Sequence, residues 1–450
     1  MAPVLCLETG KRPFQGSAVK VFQHTQPPAG MFLILVGLTS VRKEDAEMAS
    51  VRTKCLLIGL GLFITFFPMA TSTPAAEKPP IKVGLLLPYT GTMPLQAKGN
   101  TDGAELYFDE IGRKAGGRAI QVVKEDDENN PTVGLTKVRR LVEEHKVNFI
   151  LGPVHSGVAM AIQEYLRKQK VIWIITTAFT RELTSPQKAG ENMFRLTETT
   201  DQSNYPMGKW MVKNTPHRNM VITASDFSAG HHSVEAFKAG FEEAGGKVVK
   251  DVFPKLGTMD FAPFLNMLDV KGADATYAWY AGTDAVRFDQ QYHEFGLKKR
   301  LPLCGHNVIT DDPYLASIGD AALGIVTVGH YAFTVNTSRN RSFVKAYSAK
   351  YGEPPSRYSE HGYTAANIVG AVAEALKGEI EDIPQTAKEI KTVAAKIETP
   401  AGPLAFDRYN QRIGNIYIMK VEKRDGKLIN VVIGTIEKVT QEDTWKWWNK

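Results

Sequence analysis

The segment GPVHSGVAMA, residues 152–161, has the residue types that an anion-binding turn needs. Ser156 stands just before a helix that the apolar pattern predicts from near Val158 onward. The first turn of a helix leaves backbone N–H groups unpaired, and the helix dipole favours negative charge there. A hydroxyl adds one more donor, so the segment has the groups that a carboxylate needs. The residues by themselves favour the simpler alternative, in which Ser156 only caps the helix.

Other residues that could act in catalysis or bind a metal lack the partners that these roles require. Cys304 and His306 are near neighbours, but a nucleophile and its base need an orienting group and an oxyanion site, which the sequence does not signal. The acidic pair before His145 lacks the spacing of metal ligands. No Gly-rich phosphate loop follows a strand. The sequence therefore predicts no enzyme, no cofactor and no metal, with Cys304 as a small buried residue.

Strands and helices alternate along the chain from residue 81 onward. Helices of about 10–15 residues separate the strands, which is typical of βαβ crossovers and a largely parallel sheet. The series restarts near residue 219, which predicts an α/β fold of two doubly wound lobes. Ligands bind where the carboxyl ends of parallel strands meet, so we expect a ligand cleft between the lobes. Apolar runs predict strands at 81–87, 119–123, 147–151, 171–175, 220–223, 247–253, 274–280, 301–304, 415–421 and 430–436.

Composition and charge are those of a soluble globular protein. The chain of 450 residues is 43% hydrophobic and 23% charged, and its length suits two or three domains. Residues 1–76 hold seven Lys/Arg and four Asp/Glu, which leaves 47 basic against 44 acidic residues in the remainder. The net charge of residues 77–450 is so close to zero that it gives no reason to expect a nucleic-acid partner. Three cysteines cannot build a disulfide framework.

Residues 48–76 have the layout of a secretory signal peptide. Arg52 and Lys54 precede a 13-residue apolar run at 55–67, and a Pro/Ala/Thr/Ser-rich stretch follows it. The run is too short for a transmembrane helix, which needs about 20 apolar residues. We expect cleavage near the end of the segment and export to the periplasm; the alternative is an uncleaved anchor. Residues 1–47 do not have the pattern of a domain, and we expect a non-structural extension.

Several strings resemble a known family when taken in order. IKVGLLLPYTGTMPLQAKGNTDGAELYFDEI, DDENNP, ILGPVHSGVAMA and VIWIITTAFTREL are similar to the periplasmic type I solute-binding proteins of ABC importers, in the branch of the branched-chain amino-acid (Leu/Ile/Val) receptors. The resemblance continues through ASDFSAG, YAGTDAVRF and GHYAFTVN. It implies three hinge crossovers between an N-lobe of 81–200 plus 330–403 and a C-lobe of 201–329 plus 404–450. It also implies an ABC permease in the inner membrane as partner.

The resemblance implies where a ligand carboxylate is held. It places the carboxylate at Ser156, together with main-chain and hydroxyl groups at Ala178 and Thr180. His155 departs from the family, whose members commonly have a small residue or cysteine there. We expect it either to supply a donor or switchable charge to the cleft, or to pack elsewhere.

Aromatic residues are the expected walls of the site. Phe227 occupies an aromatic position of the family loop, but Ala229 stands where a tyrosine is frequent. Tyr280 and Tyr331 are further candidate walls. Trp279 is the alternative to Tyr280, because strand alternation sends the two side chains to opposite faces.

Asn307 bears on the identity of the ligand. Amino-acid receptors of the family place an acid at this position, because a desolvated α-ammonium needs a carboxylate partner. Neutral Asn307 therefore favours an aromatic or hydrophobic organic acid over an α-amino acid, although Asp226 or Asp284 could supply the charge. The implied function is capture of a small carboxylate by hinge closure. The alternative function is a ligand-sensing module on the same scaffold that feeds a signalling partner.

Overall fold

The first of two sheets defines the N-lobe. The computed structural model describes residues 78–444, so the predictions for residues 1–47 and 48–76 lie outside the described residues. Six strands pair in the order β2-β3-β1-β4-β5-β6, and all pairs except β2–β3 are parallel. The strands are β1 (Ile81–Leu87), β2 (Lys114–Ala115), β3 (Arg118–Asp126), β4 (Phe149–Leu151), β5 (Ile172–Ile175) and β6 (Met193–Arg195).

The second sheet has eight strands and defines the C-lobe. Its order is β12-β13-β11-β10-β9-β7-β8, and β14 pairs with β13. The pairs that involve β13 are antiparallel, and the other pairs are parallel. The strands are β7 (Asn219–Ala224), β8 (Lys247–Val252), β9 (Ala275–Trp279), β10 (Leu303–His306), β11 (Val326–Gly329), β12 (Leu404–Phe406), β13 (Arg412–Arg424) and β14 (Lys427–Val439).

Helices cover both sheets. Asn130 caps one of them through its side chain, as the Asn-Pro pair in the sequence predicts. The helices are α1 (Pro94–Glu110), α2 (Pro131–Glu143), α3 (Ser156–Leu166), α4 (Thr200–Asn214), α5 (Ser228–Glu243), α6 (Ala262–Leu268), α7 (Thr283–Glu294), α8 (Leu315–Ile318), α9 (Ser338–Tyr351), α10 (Arg357–Ala375) and α11 (Ile383–Ala394).

The cores show that the N-lobe is doubly wound. Alternate residues of β1 enter different cores: Leu85 packs with α1, α10 and α11 on one face, and Leu86 packs with α2 and α3 on the other. The C-lobe has one large core, to which α4, α5, α6 and α7 contribute. Burial on both faces explains why the strands are continuous apolar runs rather than alternating ones.

The chain passes between the lobes in three short segments. The first, residues 196–199, joins β6 to α4; the second, 330–337, joins β11 to α9; the third, 395–403, joins α11 to β12. Because α9, α10 and α11 pack on the N-lobe, three chain segments connect the two lobes.

The structure confirms the predicted α/β class and two-lobed architecture. β1 has the predicted bounds, whereas β4 and β5 begin one or two residues later than predicted and the terminal hairpin is longer. The sequence pattern did not identify several elements, which are β2, β6, β11, β12, α4, α8 and α11. Within the described residues, no helix is both long enough and apolar enough to span a bilayer.

Candidate functional site

A cavity of about 250 Å³ lies between the lobes, at the carboxyl ends of the parallel strands. Its N-lobe wall follows β4 and β5, and its C-lobe wall follows β7 and β9. The lining residues are Thr92, Met93, Gln96, Asn129, Val154, His155, Ser156, Thr177, Phe179, Phe227, Ala229, Leu256, Gly257, Trp279, Ala281, Gly282, Thr283, Asp284, Arg287, Val308, Arg357 and Tyr358.

Several helices begin at the cavity wall. The starts of α1, α3 and α10 reach it from the N-lobe, and the starts of α5 and α7 reach it from the C-lobe. Each N-terminus presents unpaired N–H groups and a partial positive charge. The converging dipoles therefore favour an anionic ligand group.

The turn between β4 and α3 has two polar side chains at the cavity. His155, rather than Ser156, is the N-cap: its Nδ1 accepts the Gly157 N–H at 3.2 Å, so α3 begins earlier than predicted. Burial lowers the pKa of His155, which keeps the imidazole neutral near pH 7. Because Nδ1 is the acceptor, Nε2 carries the proton and acts as a donor.

The hydroxyl of Ser156 can donate a hydrogen bond to a ligand in the cavity. Its Oγ accepts the backbone N–H of Thr180 at 3.3 Å. A hydroxyl that accepts one bond can still donate its proton to a ligand oxygen. Ser156 and His155 thus offer two donors beside the positive end of α3.

Aromatic rings form much of the remaining wall. Phe227 and Trp279 meet edge to face on the C-lobe side, with ring centroids 5.3 Å apart. Phe179 lies on the N-lobe side and packs against the ring of His306 at 5.3 Å. Tyr358 completes the aromatic part of the lining. Such walls suit a flat apolar ligand body.

Three of the predicted site residues lie outside the cavity lining. Tyr280 is 1% exposed, bonds Thr223 through its hydroxyl and stacks on Phe288 in the C-lobe core. Its neighbour Trp279, the alternative, lines the cavity instead. Tyr331 is equally buried and donates to Asn340 Oδ1 at 2.8 Å. Ala178 is buried, and its carbonyl accepts a bond from Arg195 at 3.4 Å.

Two further predicted residues lie one layer behind the lining. Thr180 holds Ser156 through its backbone N–H, while its hydroxyl donates to Glu182. Asn307 accepts a bond from Arg357 Nη1 at 3.2 Å. Of the eight predicted residues, the structure therefore brings His155, Ser156 and Phe227 to the cavity itself.

Arg357 is the main lining residue that the sequence reasoning missed. It is 2% exposed and is the first residue of α10. Asp311, from the C-lobe, accepts its Nε at 3.2 Å. A charged residue followed by a long helix is usually solvent-exposed, so nothing in the local pattern signalled this burial.

Asp284 is the one carboxylate in the lining formed by the described residues. Arg287 pairs with it, and the Gly257 N–H donates to its Oδ2 at 2.7 Å. Asp226, the other acid considered, lies outside the lining and pairs with His231 at 2.7 Å. Both carboxylates are therefore already paired within the protein.

A group of buried ionisable residues lies at the lobe connections, and we call Glu198, His306, His330, Glu360 and His361 the hinge cluster. Glu198 lies 3.1 Å from His306 and 2.6 Å from His330. His330 lies 3.3 Å from Glu360. The two histidines lower the pKa of Glu198 well below its usual range against the effect of burial.

Part of the hinge cluster has the composition of a metal site. His330, Glu360 and His361 bring one ligand atom each within 4.8 Å of one another. The rings of His330 and His361, however, stack face to face, with centroids 4.5 Å apart and planes 7° from parallel. A metal ion lies in the plane of each imidazole that binds it, about 2 Å from the nitrogen. Stacked rings cannot both meet that condition, so we interpret the cluster as an ion-pair network.

A cavity between two α/β lobes, lined by helix N-termini and aromatic rings, is the site of a protein that captures small molecules. The chain belongs to the periplasmic binding protein family: the model of that family matches residues 80–427. The Leu/Ile/Val-binding protein homolog 6 of Brucella melitensis is 28% identical over 83% of this chain and 96% of its own length.

Solved structures give the same assignment. An ABC transporter substrate-binding protein from Sphaerobacter thermophilus is 32% identical, with a TM-score of 0.77 over 80% of this chain and 98% of that one. An R. palustris ABC-transporter solute-binding protein in complex with benzoate is 30% identical, with a TM-score of 0.73 over 80% and 97%. The predicted family and function are thereby confirmed: this is an extracytoplasmic solute-binding protein of ABC transport and not an enzyme.

Proposed function

We propose that the protein captures an aromatic or similarly hydrophobic carboxylate in the interlobe cavity and delivers it to an ABC permease. The main support for this proposal is that the carboxylate in the cavity lining already has partners within the protein. Asp284 is already held by Arg287 and by the Gly257 N–H. An α-amino acid would bury an ammonium group without a free partner, which is costly.

The ligand carboxylate fits the start of α3. Ser156 and His155 offer donors there, and Thr177 lines the same wall. Donors to a charged oxygen contribute more than donors to a neutral one, roughly 1.5–3 kcal/mol against about 1 kcal/mol. We therefore assign the carboxylate to this turn, as the family resemblance implies.

The ligand body fits between Phe179, Phe227 and Trp279. These rings come from both lobes, so a ligand between them contacts both. An apolar cavity of about 150 Å³ is large enough for benzene. The cavity of about 250 Å³ leaves additional room for a carboxylate and a small ring substituent. The benzoate in the R. palustris relative supports the same ligand class.

We propose that binding stabilises a closed form of the lobes, with boundaries at residues 200, 329 and 403. Direct contacts between the lobes support this. Arg181 reaches Glu235 at 3.1 Å, and Gln96 donates to Tyr314 at 3.4 Å. A ligand that binds the closed form more tightly shifts the population toward it. The permease then recognises that form, in the periplasm, after residues 48–76 have directed export.

A ligand screen by thermal shift tests the proposal. Binding to the native state raises the melting temperature, by an amount that grows with ligand concentration over Kd. We expect benzoate and other aromatic acids to raise it, and leucine, isoleucine and valine to leave it unchanged. A shift with the branched-chain amino acids alone would contradict the proposal. Copurification with a sensor kinase rather than a permease would favour the sensing alternative.

A further inference from the structure

Arg357 has hydrogen-bonding capacity that the protein itself does not use. Its Nε donates to Asp311 at 3.2 Å, its Nη1 to Asn307 at 3.2 Å and its Nη2 to Tyr358 Oη at 2.5 Å. A guanidinium group carries five N–H groups, two of them on each terminal nitrogen. These three bonds use one N–H on each nitrogen. One N–H on Nη1 and one on Nη2 remain, on a side chain that lines the cavity.

The orientation of this guanidinium is fixed by its neighbours. It lies over the ring of Tyr358 at 4.6 Å and over the ring of Phe179 at 5.1 Å. Tyr358 in turn donates its hydroxyl to Asp311 Oδ2 at 2.7 Å. Four neighbouring residues therefore fix the planar guanidinium, and a ligand gains its hydrogen bonds without the cost of ordering a mobile side chain.

The charge of Arg357 is already compensated. Asp311 is 4% exposed and pairs with Nε inside the protein. A second ligand carboxylate at this wall would bring a buried negative charge without a free cation, which costs more than it gains. A neutral acceptor, such as a phenol hydroxyl, an ether or a carbonyl, takes up the remaining N–H groups without that cost.

We infer that Arg357 selects aromatic acids whose ring carries a neutral hydrogen-bond acceptor in addition to the carboxylate. The inference rests on the proposed function, and it adds a second polar end to the ligand. The two ends are recognised by different segments: the carboxylate by the turn before α3, and the ring substituent by the start of α10.

Matched ligand pairs on the native protein test the inference. We expect calorimetry to show that 4-hydroxybenzoate or 3-hydroxybenzoate binds about tenfold more tightly than the methylbenzoate with the same substitution, which has similar size but no acceptor. Terephthalate and isophthalate, with a second carboxylate, should bind more weakly than the hydroxybenzoates. Equal affinities within both pairs, or tightest binding of a dicarboxylate, would overturn the inference. Failure of every benzoate, benzoate itself included, would instead remove the proposed function.

An Arg357→Lys variant assigns the selectivity to this residue. Lysine keeps a positive charge opposite Asp311 but lacks the planar fork. The ratio of the affinities for the hydroxybenzoate and the matching methylbenzoate should fall to about threefold or less. Ser156→Ala is the control, because it should weaken both members of a pair equally. A preference that survives in the lysine variant would contradict the role of Arg357. The ligand pairs on the native protein decide the question if the variant does not fold.

Discussion

The cavity and the hinge cluster both lie between the lobes, yet their polar groups differ in whether protein partners use their hydrogen-bonding capacity. In the hinge cluster, Glu198 lies between His306 and His330, and both histidines are at most 2% exposed. In the cavity wall, Ser156 and Arg357 keep donors that their protein partners do not use. The first arrangement connects chain segments, and the second is suited to binding a ligand.

Substitutions in these two regions should therefore affect stability and ligand binding separately. Buried ionic groups that satisfy one another contribute to a unique structure, and breaking one of them leaves an uncompensated charge. Buried donors with unused capacity become favourable only when a ligand arrives. We therefore expect substitutions in the hinge cluster to change unfolding, and substitutions in the cavity to change affinity.

The largest effect is expected for Glu198→Gln. The substitution removes the carboxylate next to the raised-pKa imidazole of His330 and leaves that cation without its main partner. Breaking a buried pair costs about 3–5 kcal/mol. Chemical denaturation should report this loss in the free energy of unfolding. Glu353→Gln, in an exposed pair with Lys98, is the matched control and should change stability little.

The same variant has an expected pH dependence. Glu198 raises the pKa of His330 in the folded state against the effect of burial. The resulting stabilisation is fully present below the unfolded pKa of about 6.5 and is lost as pH rises through the higher folded value. The stability gap between wild type and Glu198→Gln should therefore narrow as the pH is raised above neutrality. A gap that widens with pH would show that the pair is not ionic.

Ser156→Ala is expected to act mainly on binding. It removes a donor to the ligand carboxylate, which should weaken affinity by about 1–3 kcal/mol in calorimetric titrations with benzoate. Ser338→Ala is the control, because Ser338 is likewise the first residue of its helix but lies outside the cavity. Unchanged affinity in the Ser156 variant would move the carboxylate away from this turn.

A smaller effect on binding is expected for Phe227→Ala. Phe227 is partly buried and meets Trp279 edge to face at the cavity wall. Loss of a ring–ring contact with an aromatic ligand should weaken its binding by about 0.5–1.5 kcal/mol. Phe295→Ala removes an exposed ring that does not line the cavity and provides the control. Equal losses of affinity in both variants would argue against an aromatic ligand body.

The smallest effect is expected for His155→Asn. Asparagine is a good N-cap that does not titrate, so stability near pH 7 should change little. Burial lowers the folded pKa of His155, so its neutral form stabilises the fold above about pH 6.5 and loses this contribution as pH falls through that value. The variant should therefore become more stable than wild type between pH 7 and pH 5. Parallel stability curves for both proteins would contradict this role.

The sequence predicted the scaffold well because the scaffold depends on local patterns. The run at β1 and the Asn130 cap of α2 follow directly from strand burial and capping chemistry. The choice between Trp279 and Tyr280 depended on which face of β9 meets the cavity. Local alternation cannot decide that, because β9 is buried on both faces.

The site was predicted less completely because it depends on long-range contacts. Arg357 and Asp311 are 46 residues apart in the chain, and their pairing buries a charge that sequence alone would place in solvent. Ala178, Tyr280 and Tyr331 have residue types that suit a ligand wall as well as a core. Only the three-dimensional packing separates these alternatives.

Calorimetric titration of the protein with benzoate and with leucine, at several temperatures, tests whether the cavity binds an aromatic carboxylate. We expect benzoate to bind one to one with a negative heat-capacity change, because apolar surface of Phe179, Phe227 and Trp279 is buried against the ring. Leucine should give no binding heat. Saturable binding of leucine in the absence of any benzoate binding would contradict the assignment of the cavity to an aromatic carboxylate.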